Sequence, residues 1–370
     1  MNYDAIVLGL GGMGTAAALH LARRGARVVG LEARALGHDR GSSHGESRLI
    51  RRAYFESPAY VPLLDRAYEL WGELEASSGE SLLHRSGLVL VSDRGEASAA
   101  DRARDVARAH RIVTEQLDAA AARARFPALR IDEGTSVLWE PGAGWLAVER
   151  CVAAHARAAE KAGATLRFET LVRSLQPRSD AVAVTLASGE VIEGKTLVVT
   201  AGPWAAGLLG AYGLPLAVHR VVMSWYGAPE RFDEVAGMPC FAFDTNVGFF
   251  YGFPRQNGEI KVAEHAARGT PVDPDTVERA IFGEDTARTS AFAARSLQGV
   301  EAAPRRSKVC LYTMTPDEHF IVDRHDRVVF GVGFSGHGFK FAPAIGELLA
   351  TLALDGRTPA NAEFLRRRDR

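Results

Sequence analysis

The segment Gly41-Ser42-Ser43-His44-Gly45-Glu46-Ser47-Arg48-Leu49-Ile50-Arg51-Arg52-Ala53-Tyr54 gathers a histidine and three arginines into an otherwise apolar stretch. Such a cluster suits a carboxylate, which a guanidinium binds through two parallel hydrogen bonds. If the segment is helical, His44, Arg48 and Arg51 share a face. If it is extended from Arg48 onward, Arg48 and Arg51 point oppositely and serve different ligands. Lysine occurs only at positions 161, 195, 261, 308 and 340, so a lysine inside a motif stands out. Lys261 and His265 fall on Glu259 to His265, where a two-residue period puts both on one face. Cys151, Cys240 and Cys310 are too few and too far apart for a disulfide framework or a zinc cluster, and no metal site is read. Cys310 follows Arg305, Arg306 and Lys308, and a thiol among cations is more readily a nucleophilic thiolate.

These groups need elements to hold them. Asp4 to Leu8, Thr15 to Arg24 and Arg27 to Leu31 read as one βαβ unit. Gly9-Leu10-Gly11-Gly12-Met13-Gly14 fits G-x-G-x-x-G at its strand-to-helix turn, where missing side chains let a pyrophosphate approach a helix N-terminus. Glu32 ends the second strand, placed to accept hydrogen bonds from a ribose diol and to repel a 2'-phosphate. Nicotinamide and flavin dinucleotides both fit this unit. Two later segments favour flavin. Leu197 to Gly202 is a hydrophobic strand ending in small residues, suited to backbone lying against a cofactor. Gly331 to Lys340 joins a strand to the last helix with four glycines in eight residues. That helix starts at Phe341 and Ala342, with no side chain to cap its first N–H groups, which leaves them for a ligand oxygen.

Elsewhere, Pro62 to Ser77 carries a helical stripe of Leu63, Leu64, Ala67, Leu70, Trp71 and Leu74, and alanine and arginine fill Ala97 to Arg125 at helical spacing. A helix is expected from Leu146 to Lys161, then a strand at Thr165 to Phe168. A hairpin of Ala181 to Leu186 with Glu190 to Ile192 and a buried strand at Thr196 to Thr200 follow. Leu216 to His265 is β-rich and aromatic, Val328 to Val332 is a strand, and Pro343 to Leu354 is a helix stopped by Gly356. Arg366 to Arg370 reads as a solvated tail. With 370 residues, 47% hydrophobic and 24% charged, the composition is that of a globular protein of about two domains. A net charge of −1 and the lack of any apolar run near ~20 residues argue against nucleic-acid and membrane partners. The start, Met1 to Leu10, lacks a basic leader, which points to the cytoplasm.

Taken together, Gly9 to Gly14, Gly41 to Tyr54, Tyr251-Gly252-Phe253-Pro254, Val309 to Phe320 and Gly333 to Phe341 resemble the monomeric sarcosine oxidase family, which includes N-methyltryptophan oxidase, among the D-amino-acid-oxidase-like flavoproteins. The resemblance runs end to end. It implies an α/β (α+β) fold: a glutathione-reductase-like FAD-binding domain from residues 1–80, 145–215 and 320–370, and a mixed-sheet substrate domain from 81–144 and 216–319. It implies a monomeric oxidase of secondary amino acids, using FAD and oxygen and giving an imine and hydrogen peroxide, with formaldehyde from N-methyl substrates. By the same resemblance, Cys310 carries the flavin covalently, and Arg51 and Lys340 clamp the substrate carboxylate. Lys261 is where oxygen is activated, Arg48 lies near the same flavin edge, and Tyr251, His265 and Tyr312 flank the substrate. The cofactor set becomes Gly9, Gly11, Gly12, Met13, Gly14, Glu32, Ser42, His44, Ser47, Arg48, Val172, Gly202, Trp204, Cys310, Gly336, His337, Gly338, Phe339 and Lys340.

Three departures leave the amine open: Ser43 replaces a histidine, Phe250 replaces a tyrosine, and Ala242 stands where sarcosine oxidases carry a bulkier methionine. Pipecolate and N-methyltryptophan are alternatives to sarcosine, and a flavin dehydrogenase using another acceptor is an alternative to an oxidase. For Tyr251 to share the face of Lys261, parity predicts a three-residue hairpin loop, Gln256-Asn257-Gly258, with Gly258 left-handed.

Overall fold

The computed structural model describes residues 3–95 and 98–367. The strand Tyr3–Leu8 lies between two parallel neighbours, Val28–Leu31 and Val191–Val199, in an eight-stranded sheet. Thr165–Arg167 extends one side in parallel. On the other side Val328–Val332 pairs in parallel with the end of Val191–Val199, while Val182–Leu186 pairs antiparallel with its start. Both faces are buried, so the strands read as continuous apolar runs. Ala5 and Val7 face helices, whereas Ile6 and Leu8 pack with Val182, Val184 and Val199. The helices Gly12–Arg23 and Ala342–Asp355 cross so closely that a Cβ on Gly346 would lie 2.6 Å from Ala16.

A second eight-stranded sheet runs Arg306–Met314, Ala217–Gly227, Glu259–Glu264, Gly248–Gly252, Cys240–Thr245, Leu88–Ser92, Ser136–Glu140, Glu115–Leu117. It is mixed: Cys240–Thr245 and Leu88–Ser92 pair in parallel, the other pairs antiparallel. Alternation sorts its side chains. Ala242, Tyr251, Ala263, Cys310 and Tyr312 share one face, and Phe241, Phe243, Phe250 and Val262 pack on the other with Phe292 of the helix Gly283–Ser296. Phe250 is stacked on Phe292 at 4.6 Å, so the tyrosine-to-phenylalanine departure there lies on the sheet face away from Tyr251.

A three-stranded sheet contains Ser47–Ile50, which settles the arginine segment as extended rather than helical. The expected helix from Ala97 to Arg125 is two helices, Ala99–His110 and Ala119–Arg125, with the strand Glu115–Leu117 between them; Ala97 itself lies outside the described residues. Arg111 adopts φ 56 and ends the first helix, and the Asp118 side chain caps the second by accepting from Ala121 N–H. Arg366 is not simply solvated, since it pairs with Asp323 and Glu363. Residues 368–370 lie outside the described chain.

The hairpin before Lys261 also differs from expectation. Its loop is the two-residue turn Asn257-Gly258, with φ 51 and 81, closed by Gln256 and Glu259. Yet Tyr251 pairs with Ala263 and Gly252 with Val262, so Tyr251 does share a face with Lys261. Parity is restored by one extra residue on the first strand between Gly252 and Gln256, a bulge that contains Pro254, which has no N–H to give to a ladder.

Candidate active site

A cavity of about 450 Å³ opens at the C-terminal ends of the parallel strands, between the two sheets. Gly9, Gly11, Gly12 and Met13 form one wall, Glu32 and Val172 a second, Gly202 and Trp204 a third, and Gly336, Gly338 and Phe339 a fourth; Ser42 and Arg48 close it. The glycines are required by contact. A Cβ on Gly14 would lie 1.8 Å from Gly9 O, and one on Gly336, at φ 77, would strike the Tyr312 ring. Gly14 therefore packs helix against strand rather than lining the cavity. Glu32 accepts from Leu10 N–H at 2.9 Å and Arg34 N–H at 3.1 Å, so it braces the glycine turn as well as facing the cavity. The elongated, glycine-walled shape fits a flavin dinucleotide. Two unpartnered polar groups agree with that fit: Thr313 Oγ1 belongs to a cavity-lining residue, and both His44 ring nitrogens are buried nearby without a protein partner. Burial holds His44 near a pKa of about 3, hence neutral, with one donor and one acceptor.

Beside this cavity lies a second, of about 60 Å³, and Arg48, Gly336 and Phe339 line both. Its walls include Arg51, Glu56, Ala242, Tyr251, His265 and Lys340. Arg51 donates to both oxygens of Glu56, at 2.6 and 2.7 Å, and to Ala53 O at 3.0 Å, with its guanidinium stacked over Phe55. Burial opposes the Glu56 charge, but Arg51, His337 and Lys340 hold its pKa at about 2. Lys340 donates to His337 O at 2.6 Å. Burial, then the Arg51 charge, lower its pKa to about 7 against the pull of Glu56. The His337 ring is occupied elsewhere, by Tyr54 Oη at 2.5 Å and Glu318 O at 3.0 Å; His337 thus holds Lys340 through its backbone rather than lining the larger cavity. Tyr251 and Tyr312 share one buried cluster on the same sheet face, and His265 Nδ1 lies 3.4 Å from Tyr312 Oη. Burial keeps both tyrosines protonated and brings His265 to about 4.

The third grouping joins the two. Arg48 places Nη2 3.5 Å from Cys310 Sγ and 3.0 Å from Ser42 O. The three cations expected around the thiol are spent elsewhere: Arg305 pairs with Glu301, Arg306 with Glu46 and Glu259, and Lys308 with Asp39. Arg306 and Lys308 share the strand face of Cys310 but are drawn to these carboxylates, and the cation at the sulfur comes from another strand. Lys261 Nζ donates to Gly45 O at 2.7 Å and to Ser47 O, and lies 4.3 Å from the centre of the Phe253 ring. Ser47 thus acts through its carbonyl. Arg48 and Arg51 do meet different partners, as an extended segment requires, although both line the smaller cavity.

The sequence reading missed Glu56, Thr313 and Arg34. Glu56 lies five residues past Arg51 on an irregular loop, and no period predicts that contact.

The fold and this pair of cavities define an FAD-dependent oxidoreductase. Residues 4–352 match the family of FAD dependent oxidoreductases. The chain is 40% identical over 369 residues to the monomeric sarcosine oxidase of Streptomyces avermitilis, covering 96% of this chain and 95% of that one. It is 35% identical to the N-methyl-L-tryptophan oxidase of Citrobacter koseri, covering 97% and 96%. Among solved structures it superposes on NikD, an amino acid oxidase essential for nikkomycin biosynthesis, with a TM-score of 0.87, 25% identity, and coverage of 99% and 97%. The chain belongs to the FAD-dependent oxidoreductases, in the family of monomeric sarcosine oxidase and N-methyltryptophan oxidase.

Proposed function

We propose that this chain is an FAD-dependent oxidase of a small secondary amino acid, sarcosine or a near relative, giving an imine, then formaldehyde and the primary amino acid, with hydrogen peroxide. The observation that carries this reading is the shared wall: a small cavity holding Arg51 and Lys340 adjoins a dinucleotide-shaped one at Arg48, Gly336 and Phe339. Bound FAD would accept two electrons from the substrate carbon and deliver them to oxygen. Arg51 and Lys340 clamp the carboxylate, and their charges, with that of Arg48, favour the neutral amine, whose lone pair the oxidation needs. Tyr251, Tyr312 and neutral His265 orient the amine as hydrogen-bonding walls, not as ionised bases. A cavity closed by Phe55 and Phe249, with ring centroids 5.5 Å apart, favours a small substrate although Ala242 is itself small. No helix among the described residues is long and apolar enough to cross a membrane. A cytoplasmic monomer is part of the same reading. Peroxide release should be greatest with sarcosine, smaller with pipecolate and least with N-methyltryptophan; dye reduction without peroxide would point to a dehydrogenase instead.

The reading includes a covalent link from Cys310 to the flavin. Cys310 has Arg48 beside its sulfur, whereas burial raises Cys151 and pushes Cys240 up to about 12. Acid precipitation of the native protein should leave the yellow colour in the pellet, and Cys310→Ser should release it to the supernatant. Colour retained by Cys310→Ser places the link elsewhere.

Lys340 gives a pH signature. With a lowered pKa of about 7, its ammonium is present below that value and lost above it. Affinity for a small carboxylate inhibitor should therefore weaken as pH rises past about 7, the fall levelling off at the higher pKa that the bound anion gives the ammonium in the complex. Lys340→Met should bind weakly at every pH with this step gone; a profile unchanged in the variant removes Lys340 from the clamp.

A further inference from the structure

Glu149, in the first turn of the helix Val148–Lys161, has no part in the chemistry above. Its carboxylate does not cap its own helix. Oε1 accepts from Gly45 N–H at 2.7 Å and from Glu46 N–H at 3.2 Å, and Oε2 accepts from Glu46 N–H at 3.0 Å. Glu46 O in return accepts from Val148 N–H at 2.9 Å. The turn held this way is an unfavourable one: Gly45 and Glu46 have φ 90 and 70, two left-handed residues in succession, the second carrying a side chain. A Cβ on Gly45 would also lie 2.6 Å from the Met223 methyl. What the turn achieves is to aim the Gly45 and Ser47 carbonyls at Lys261 Nζ. Glu149 and Lys261 thus grip the same Gly45–Glu46 peptide group, one at the Glu46 N–H and the other at the Gly45 C=O, so each bond polarises the other.

Charge points the same way. Lys261 is a buried and Arg48 a half-buried cation, and among the described residues neither has a carboxylate within ion-pair distance. The groups facing Lys261 are Arg48 on its strand, His44 and Glu46 on the turn, Cys310 and Cys240 on the large sheet, and Glu149 on the helix. Glu46 is committed to Arg306, at 2.7 and 3.1 Å, and to Trp225. Glu149 is the carboxylate in this group that is not spent on another side-chain cation. Burial, then Arg48, depress the Lys261 ammonium, and Glu149 opposes them.

We propose that Glu149 is a positioning residue for Lys261: it holds the turn whose carbonyls seat the ammonium, and it supplies the negative charge that balances that ammonium beside Arg48. The functional consequence rests on the proposed role of Lys261 toward oxygen; the placement does not. The test uses holoenzyme of wild type, Glu149→Gln, Glu149→Asp, Lys261→Met and the Glu149→Gln/Lys261→Met double variant. The flavin absorbance is titrated with pH, and reoxidation by oxygen is followed by stopped flow. Glu149→Gln should move the Lys261-dependent step in absorbance down by about one pH unit and slow reoxidation about tenfold above that step, with anaerobic reduction by sarcosine within about threefold of wild type. Glu149→Asp, which keeps the charge, should fall between wild type and Gln, and it decides the matter if Gln yields no folded holoenzyme. In the Lys261→Met background, Glu149→Gln should change neither readout. The proposal is overturned by a step at the same pH in wild type and Glu149 variants, by no Lys261-dependent step in any of them, or by an effect of equal size without Lys261. Normal reoxidation in Lys261→Met would defeat the oxygen role alone and leave the absorbance step to judge Glu149.

Discussion

Arg51→Ala should raise the KM for an amino-acid substrate by about 30-fold to several thousand-fold and abolish inhibition by small carboxylates. Losing one partner of a hydrogen-bonded charge pair in a dry site costs roughly 2 to 5 kcal/mol, which is that range of affinity. The guanidinium is 7% exposed and already engaged by Glu56 through both oxygens. A substrate carboxylate must therefore take over donors that Glu56 holds in its absence, and the pocket's cations must then serve two anions. This gives a second variant of opposite sign. Glu56→Gln removes the competing charge, keeps an acceptor for Arg51 and leaves Lys340 with one anion fewer, so carboxylate inhibitors should bind more tightly, not less. Inhibitor titrations on the two variants separate the readings: weakening in both marks a general loss of structure, and no change in Arg51→Ala removes Arg51 from the clamp.

Much of this arrangement is carried by local pattern. The glycine turn at Gly9 to Gly14, the acid at Glu32 and the uncapped start of the last helix depend on residues close together in the chain, so spacing alone places them. Cys310 and Tyr312 share a face because a strand alternates, and no long-range contact need be known. The sequence is less informative where partners are distant. The cation at Cys310 is Arg48, 262 residues away, not Lys308 or the arginines four and five positions before it along the chain. Glu149 meets Gly45 across 104 residues. Tyr251 and Lys261 illustrate a subtler limit: the resemblance puts them on a common face, and parity allows that through a longer loop or through a bulge, which only the register distinguishes. The alanine and arginine run at Ala99 to Arg125 keeps a helical period across a true break, because alanine is compatible with a helix almost anywhere and the left-handed Arg111 leaves no mark in composition.

Lys261→Met should slow reoxidation of the reduced holoenzyme by about 10² to 10³ while leaving its anaerobic reduction by substrate within about tenfold. Oxygen is neutral when it arrives and becomes negative at its first electron, so a fixed cation in a site with little water stabilises charge that exists only as the reaction proceeds. Losing one preorganised group of this kind costs on the order of 3 to 4 kcal/mol. The substrate half-reaction has less to lose. Its carboxylate is served by Arg51 and Lys340, and a further cation opposes the positive charge of an iminium product, so ~1.4 kcal/mol, a factor of ten, is a generous margin for it. Two N–H bonds of the ammonium are already taken by the Gly45 and Ser47 carbonyls, which fixes Nζ before oxygen enters and spares the cost of reorganising it. Methionine keeps the length of the side chain over Phe253 without the charge, which makes it a fairer replacement than alanine in a site this tightly packed. Stopped-flow measurement of the two half-reactions decides the assignment. If both slow together, Lys261 holds the site together rather than serving oxygen; if bleaching alone slows, it belongs to the substrate, and the carboxylate clamp has a third member.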